Sequence, residues 1–167
     1  MQLEMSPIPD TNTAFARFSH TLREDGLRPA LAYLLGLTDY RYIAIFRFRN
    51  GKSTAAAFYD RDNPDVLETD EVPESATYCC FVRDEKGIFT TADALHDPRL
   101  THHVSREAVQ AYCGVPVLTP EGEILGTLCH YDTVPRDPGQ IDIELMLQVA
   151  SALDQTHSVP DYPDKAV

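Results

Sequence analysis

The chain has 167 residues, of which 43% are hydrophobic and 24% charged, and its formal net charge is −12. That balance fits a single globular domain with a sizeable core rather than a disordered chain. The acidity argues against a phosphate-backbone partner, and no apolar run approaches the roughly 20 residues of a membrane span.

Met1 to Asp10 lacks the basic and apolar regions of a secretory signal, so a cytoplasmic location is expected, with no nucleic acid and no membrane as partner. Residues 1–12 carry prolines without periodicity and read as a flexible lead. Residues 13–24 place Phe15, Phe18 and Leu22 on one helical face, and Gly26 ends that helix. Pro29 suits an early position of a second helix, whose apolar stripe is Ala30, Leu31, Leu34 and Leu35, stopping at Gly36. From Tyr42 to Arg49 the residues alternate, with Tyr42, Ala44, Phe46 and Phe48 on one side. Asn50-Gly51 is a type I′ hairpin signal, and the return strand covers about 53–59.

The acidic stretch 65–72 reads as a surface loop or edge strand. Pro73 and Glu74 look like a helix start, with the helix running through Tyr78 and Cys79 towards Val82 and broken by Gly87. A short strand at 88–91, a loop at 93–100 and a short helix from Val104 to Ala111 follow. Two strands then surround Thr119-Pro120-Glu121-Gly122, a type I turn with Pro second and Gly fourth. Pairing Thr119 with Glu123 sets Tyr112 opposite His130, Gly114 opposite Leu128, and Cys113 opposite Cys129. Both faces of this hairpin are largely apolar, which places it mid-sheet with something covering each side. Asp137 is the expected cap of the last helix, with Pro138 at its first position and Ile141, Leu145, Val149 and Ala152 at helical spacing. Residues 158–167 read as a flexible tail, leaving one domain over 13–157.

This order suits an α+β fold: an antiparallel sheet with the terminal helices on one face and the segment 60–111 as a lid of loops and short helices forming a pocket on the other. The central run, Tyr112-Cys113-Gly114-Val115-Pro116-Val117-Leu118-Thr119-Pro120-Glu121-Gly122 continuing to Leu125-Gly126-Thr127-Leu128-Cys129, resembles the last hairpin of a GAF domain. It is most similar to the bacterial sensory subgroup that reads Y-x-G-x-P-x-x-T-P-x-G-x-x-L-G-T-L-C. Pro135-Arg136, Ala76-Thr77-Tyr78-Cys79, Ala92-Asp93-Ala94 and Asp97-Pro98-Arg99-Leu100 resemble further elements of that subgroup in the same order. The resemblance covers about 28–155. It implies signal transduction by binding a small molecule between sheet and lid, and pairing through the terminal helices as a homodimer. No kinase, cyclase or DNA-binding segment fits in the remaining residues, so a stand-alone module acting on a partner signalling protein is expected.

The candidate ligand-binding residues are Tyr78, Cys79, Thr91, Asp93, Tyr112, Gly114, Leu128 and His130. The face of Tyr112, Gly114, Leu118, Gly126, Leu128 and His130 is assigned to the pocket, because its glycines leave room beside a strand. The other assignment, in which those glycines admit a helix, stays open. The N-terminus around Glu74 to Thr77 is a further candidate, as an anion cradle. His130 can bond an acidic ligand, coordinate haem iron or respond to pH, or it is a half-buried strand-end histidine bonded to a carbonyl. Four cysteines, Cys79, Cys80, Cys113 and Cys129, form no secreted-module framework and no zinc spacing, so no metal site is expected and no cofactor is named. Buried structural thiols are the expectation. The competing classes are a thiol-dependent reductase of a small oxidised metabolite, similar to the free methionine sulfoxide reductases, a haem or metal sensor using His130, and an interaction module with a filled pocket.

Overall fold

In the computed structural model, which describes residues 8–164, the Asp10 carboxylate accepts the Thr13 N–H at 2.8 Å and opens α1 (Thr11–Glu24). Most of the expected lead, residues 1–7, and the end of the expected tail, residues 165–167, lie outside the described residues. Gly26, at φ 105°, turns the chain into α2 (Leu27–Leu35), which ends at Gly36 as expected. β1 (Tyr42–Arg49) and β2 (Lys52–Asp60) are joined by Asn50 and Gly51, both at positive φ, as the type I′ reading requires.

The expected helix from Glu74 to Val82 is broken in two. A 3-10 turn covers Glu74–Ala76, the β-branched Thr77 is extended, and α3 (Cys79–Glu85) starts only after Tyr78. Lys86 rather than Gly87 takes the left-handed conformation at its end. β3 (Val72–Pro73) is a short edge strand and β4 (Phe89–Thr91) a second one. The helix expected over Val104–Ala111 does not form. Those residues make turns fastened to other segments, and Ala111 already belongs to β5 (Ala111–Leu118). β6 (Ile124–Asp132) completes the sheet. Asp137 caps a 3-10 turn at Pro138–Gln140, whereas α4 (Ile143–Gln155) is capped by Asp142, which accepts the Leu145 N–H at 3.0 Å.

The six strands form one antiparallel sheet in the order β3-β2-β1-β6-β5-β4. α1, α2 and α4 cover one face over a core that includes Phe18, Leu31, Leu34, Ile43, Ile45, Val115 and Val149. α3 and the loops up to β5 cover the other face, over Ala44, Phe58, Val82, Leu100 and Tyr112. Residues 158–164, which fall in the expected tail, run back over the β1–β2 hairpin. There Arg47 donates to the Pro160 carbonyl at 2.8 Å, Arg49 sits over the Tyr162 ring, and the Tyr162 hydroxyl bonds the Glu71 carboxylate.

The register of the central hairpin differs from expectation at one residue. Thr119 and Glu123 pair, and Leu118 faces Ile124, but Leu125 is an extra residue, so Val117 faces Gly126. Beyond this bulge Gly114 faces Cys129, Cys113 faces His130 and Tyr112 faces Tyr131. Because side chains alternate with a period of two, the bulge turns every later β6 residue to the opposite face. Cys113 and Cys129 therefore lie on opposite sides of the sheet rather than side by side.

Candidate functional site

Under the lid a cavity of about 70 Å³ is lined by Phe46 from β1, Tyr112 from β5, Tyr131 from β6, Tyr78 and Cys79 at the start of α3, and the segment of Ser105 and Val109, with Ala76 and Thr77 completing the wall. No charged side chain lines it. The lid is fastened by a few specific bonds. The Tyr78 hydroxyl donates to the Val109 carbonyl at 2.7 Å, and Ser105 Oγ donates to the Ala76 carbonyl at 2.5 Å. An aromatic cluster backs these contacts: Tyr78 meets Tyr112 edge-on at 5.6 Å and His103 at 4.6 Å, while Phe81 and Phe89 sit 4.7 Å apart. Burial depresses the His103 imidazole below its ordinary value, so the ring beside Tyr78 is neutral at physiological pH.

Cys79 lines the cavity, and the Cys129 thiol lies next to it. The Tyr112 hydroxyl donates to Cys79 Sγ at 3.2 Å, and Cys79 Sγ lies 4.0 Å from Cys129 Sγ. The buried Thr127 hydroxyl, on the same face of β6 as Cys129, has no hydrogen-bond partner among the described residues. Burial alone would raise the Cys79 thiol, but its contacts with Cys129 and with the Tyr112 hydroxyl outweigh it and hold the thiol below its usual range. Burial pushes Cys129 well up.

Of the residues expected from sequence, Tyr78, Cys79 and Tyr112 meet at this cavity. Gly114 lies beneath it, where the Tyr112 ring folds back over the strand. A Cβ at 114 would stand 2.2 Å from the Tyr112 hydroxyl oxygen. Replacing Gly114 with Ala therefore evicts the ring and its bond to Cys79, at an expected cost of about 2 kcal/mol in urea unfolding. In a Tyr112→Ala background the same replacement should be nearly neutral. Equal costs in both backgrounds would show that the ring is not what Gly114 accommodates.

Thr91 is buried opposite Tyr112, with its hydroxyl beside the Asp97 carboxylate. Asp93 bonds His96 at 2.8 Å and has no place in the cavity wall. Two side chains lie on the wrong face for the cavity. The bulge turns Leu128 and His130 towards the helices, where Leu128 joins the core and His130 meets the Tyr40 ring edge-on at 5.9 Å. β6 presents Thr127, Cys129 and Tyr131 to the lid instead. Nor are Glu74 to Thr77 an open anion cradle: the Glu74 N–H bonds the Gly51 carbonyl, the Thr77 N–H bonds Glu74, and the Glu74 carboxylate is paired with Arg83 at 2.5 Å. Asp97 and Arg99 pair at 2.6 Å, and Arg99 also bonds the Thr90 carbonyl, so this motif holds the lid loop against β4. Arg99 holds the Asp97 carboxyl well below the usual carboxylate range.

Sequence reasoning missed Phe46, Ser105, Val109 and Tyr131 as lining, and it named Ala76 and Thr77 only within the anion cradle. Phe46 was available from the alternation of β1, and Tyr131 would follow from the corrected parity. Ser105 and Val109 carried no local signal, because long-range bonds hold them in place. Among the described residues no group of three or more His, Cys, Asp or Glu side chains is arranged to hold a metal ion, and no helix is long and apolar enough to cross a membrane.

Comparison with known proteins agrees with this architecture. The chain is similar to the GAF domain of an Acinetobacter phosphoenolpyruvate-protein phosphotransferase, with a TM-score of 0.69 and 16% identity over 90% of this chain and 93% of that one. It is also similar to a free methionine-R-sulfoxide reductase from Neisseria meningitidis, with a TM-score of 0.67 and 14% identity over 92% and 93%. At such identities the likeness concerns the fold. In sequence, 75 residues are 37% identical to a cyclic di-GMP phosphodiesterase of Pseudomonas aeruginosa, covering 43% of this chain and only 13% of that protein's length. The GAF domain family profile matches residues 23–156. Together, the sheet order, the helical face, the lidded face and this match over most of the sequence establish that the chain belongs to the GAF domain family, a fold used for small-molecule-binding regulation.

Proposed function

We propose that this chain is a cytoplasmic sensory GAF module that binds a small uncharged ligand between sheet and lid. The cavity wall carries the reading: four aromatic rings, Phe46, Tyr78, Tyr112 and Tyr131, with hydroxyls and one thiol as its polar groups and no ion. Such a wall favours a flat, neutral molecule that stacks on rings and bonds through its edge, and it disfavours an anion, which would be desolvated without a counter-charge. At about 70 Å³ the space equals roughly two waters. A metabolite therefore enters by displacing the lid, whose Tyr78–Val109 and Ser105–Ala76 bonds must open. That displacement is the signal, passed through a homodimer of the terminal helices or to a partner signalling protein. By analogy with the Pseudomonas relative, a protein of cyclic dinucleotide turnover is the kind of partner expected.

Native mass spectrometry of freshly purified protein, with an absorption spectrum beside it, tests this. The wild type should carry an added non-covalent mass that is absent from a Val109→Trp variant, whose indole fills the chamber. The same spectrum reports monomer or dimer. Bare mass in both proteins, with no differential thermal stabilisation by neutral aromatic metabolites, would overturn the reading.

Thiol-dependent reduction of a small oxidised metabolite keeps one supporting observation, the Cys79 sulfur in the cavity wall. Single-cysteine replacements separate the two, since catalysis would vanish with one thiol and binding would largely survive. A haem or metal sensor built on His130 has no such support, because that ring is 1% exposed within the helix-side core.

A further inference from the structure

We propose that Cys79 and Cys129 form a redox modification site, oxidised by a small hydroperoxide to a disulfide that ties the lid helix α3 to the central strand β6. The two sulfurs are 4.0 Å apart, one at the start of α3 and the other on β6, and both are free thiols. They need to approach by about 2 Å to reach bonding distance. Cys79 lines the cavity, and about 70 Å³ admits a molecule as small as hydrogen peroxide without lid opening. Tyr112 donates to the Cys79 sulfur at 3.2 Å, which stabilises a thiolate at that atom.

The chemistry balances in two steps. Cys79 Sγ attacks one oxygen of hydrogen peroxide, the O–O bond breaks, and the proton that the Cys79 thiol gives up passes to the leaving hydroxide, which departs as water and leaves Cys79 as sulfenic acid. The Cys129 sulfur then attacks Cys79 Sγ, the S–O bond breaks, and the Cys129 proton leaves with the hydroxyl as a second water. Two thiols and one hydrogen peroxide give one disulfide and two waters (an organic hydroperoxide gives its alcohol in place of the first water), the sulfurs losing two electrons and the peroxide gaining them. The product pins α3 to the sheet, so the lid can open only in the reduced form.

Cys113 is the internal control. It is as buried as the pair but lies on the helix face, where burial pushes its thiol up to about 12. The full chain is treated with hydrogen peroxide, the remaining thiols are alkylated in denaturant, and intact mass and peptide maps are read. Cys79 and Cys129 should be consumed about tenfold faster than Cys113, with a 79–129 cross-link that dithiothreitol reverses. Because Cys80 adjoins Cys79, the map is repeated in a Cys80→Ser/Cys113→Ser variant, which should give the same cross-link. In a Cys129→Ser variant, Cys79 should instead accumulate as sulfenic acid trapped by dimedone. Oxidation no faster than at Cys113, or a cross-link that disappears in the Cys80→Ser/Cys113→Ser variant, overturns the proposal. The wild-type map decides alone if Cys129→Ser does not fold.

Discussion

Between pH 6.5 and pH 3 the protein should lose about 5 kcal/mol of stability through one side chain, His130. The ring is 1% exposed and its Nε2 has no partner. Burial, followed by the nearby Arg61 charge, depresses its pKa from 6.5 to about 3. Arg61 itself is fixed, donating to the Leu35 and Thr38 carbonyls at the end of α2, so it cannot swing away from a protonated ring. The folded pKa lies below the unfolded one, and the fold therefore favours the neutral imidazole. That preference is fully present above about pH 6.5 and is withdrawn at about 1.4 kcal/mol per pH unit as the pH falls towards 3. A His130→Leu variant removes the titration while keeping an apolar ring of neighbours. Urea midpoints measured from pH 7 to pH 4 should fall less steeply for the variant, the stability difference between the two proteins changing by about 3 kcal/mol over that interval in the variant's favour. Parallel curves would show that His130 is not the group whose protonation drives the acid loss.

The position of His130 also marks where sequence reading stopped working. Alternation and Asn50-Gly51 located β1 and β2, and Thr119 to Gly122 located the turn of the central hairpin, because these signals are local. The helical faces of α1, α2 and α4 were equally visible, since the apolar residues of each recur at helical spacing. The bulge at Leu125 was not. β5 and β6 are buried on both faces, so a one-residue slip exchanges one apolar set for another and leaves no contrast to read. For that reason Tyr112 and Gly114 were assigned to the correct face while Leu128 and His130 were assigned to the wrong one. The missing helix at 104–111 has a different cause. Its apolar spacing was overruled by tertiary bonds, Ser105 to Ala76 and Tyr78 to Val109, which reward an irregular backbone at that place. The α4 cap failed by ambiguity, since Asp137 and Asp142 each precede a turn and each caps one.

Replacing Gly126 with Ala should cost about 3 kcal/mol or more, above the cost at Gly114. A Cβ at 126 would stand 2.3 Å from the Phe46 carbonyl oxygen of β1, with the Arg47 side chain 3.2 Å away. The obstacle at 2.3 Å is backbone, so no rotamer change relieves it. β1 is held on its other side by β2, where its own register shifts between Ile45 and Phe46. On the far side of β6, the bulge at Leu125 fixes the pairing with β5. Neither neighbour can retreat without breaking ladder bonds, and the strain falls on the β1–β6 seam that joins the two hairpins. Two other glycines calibrate the measurement. Gly122 has open space around it but sits at φ 81°, so Ala there should cost about 1 kcal/mol in backbone strain alone. Gly87 has neither constraint, its nearest neighbour being 3.7 Å away, and Ala there should be close to neutral. Urea unfolding of the three variants should therefore rank 126 well above 122, and 122 above 87. A Gly126→Ala protein as stable as Gly87→Ala would mean that β1 and β6 can part at this level, and that the bulge, rather than the close approach of the two strands, is what the glycine serves.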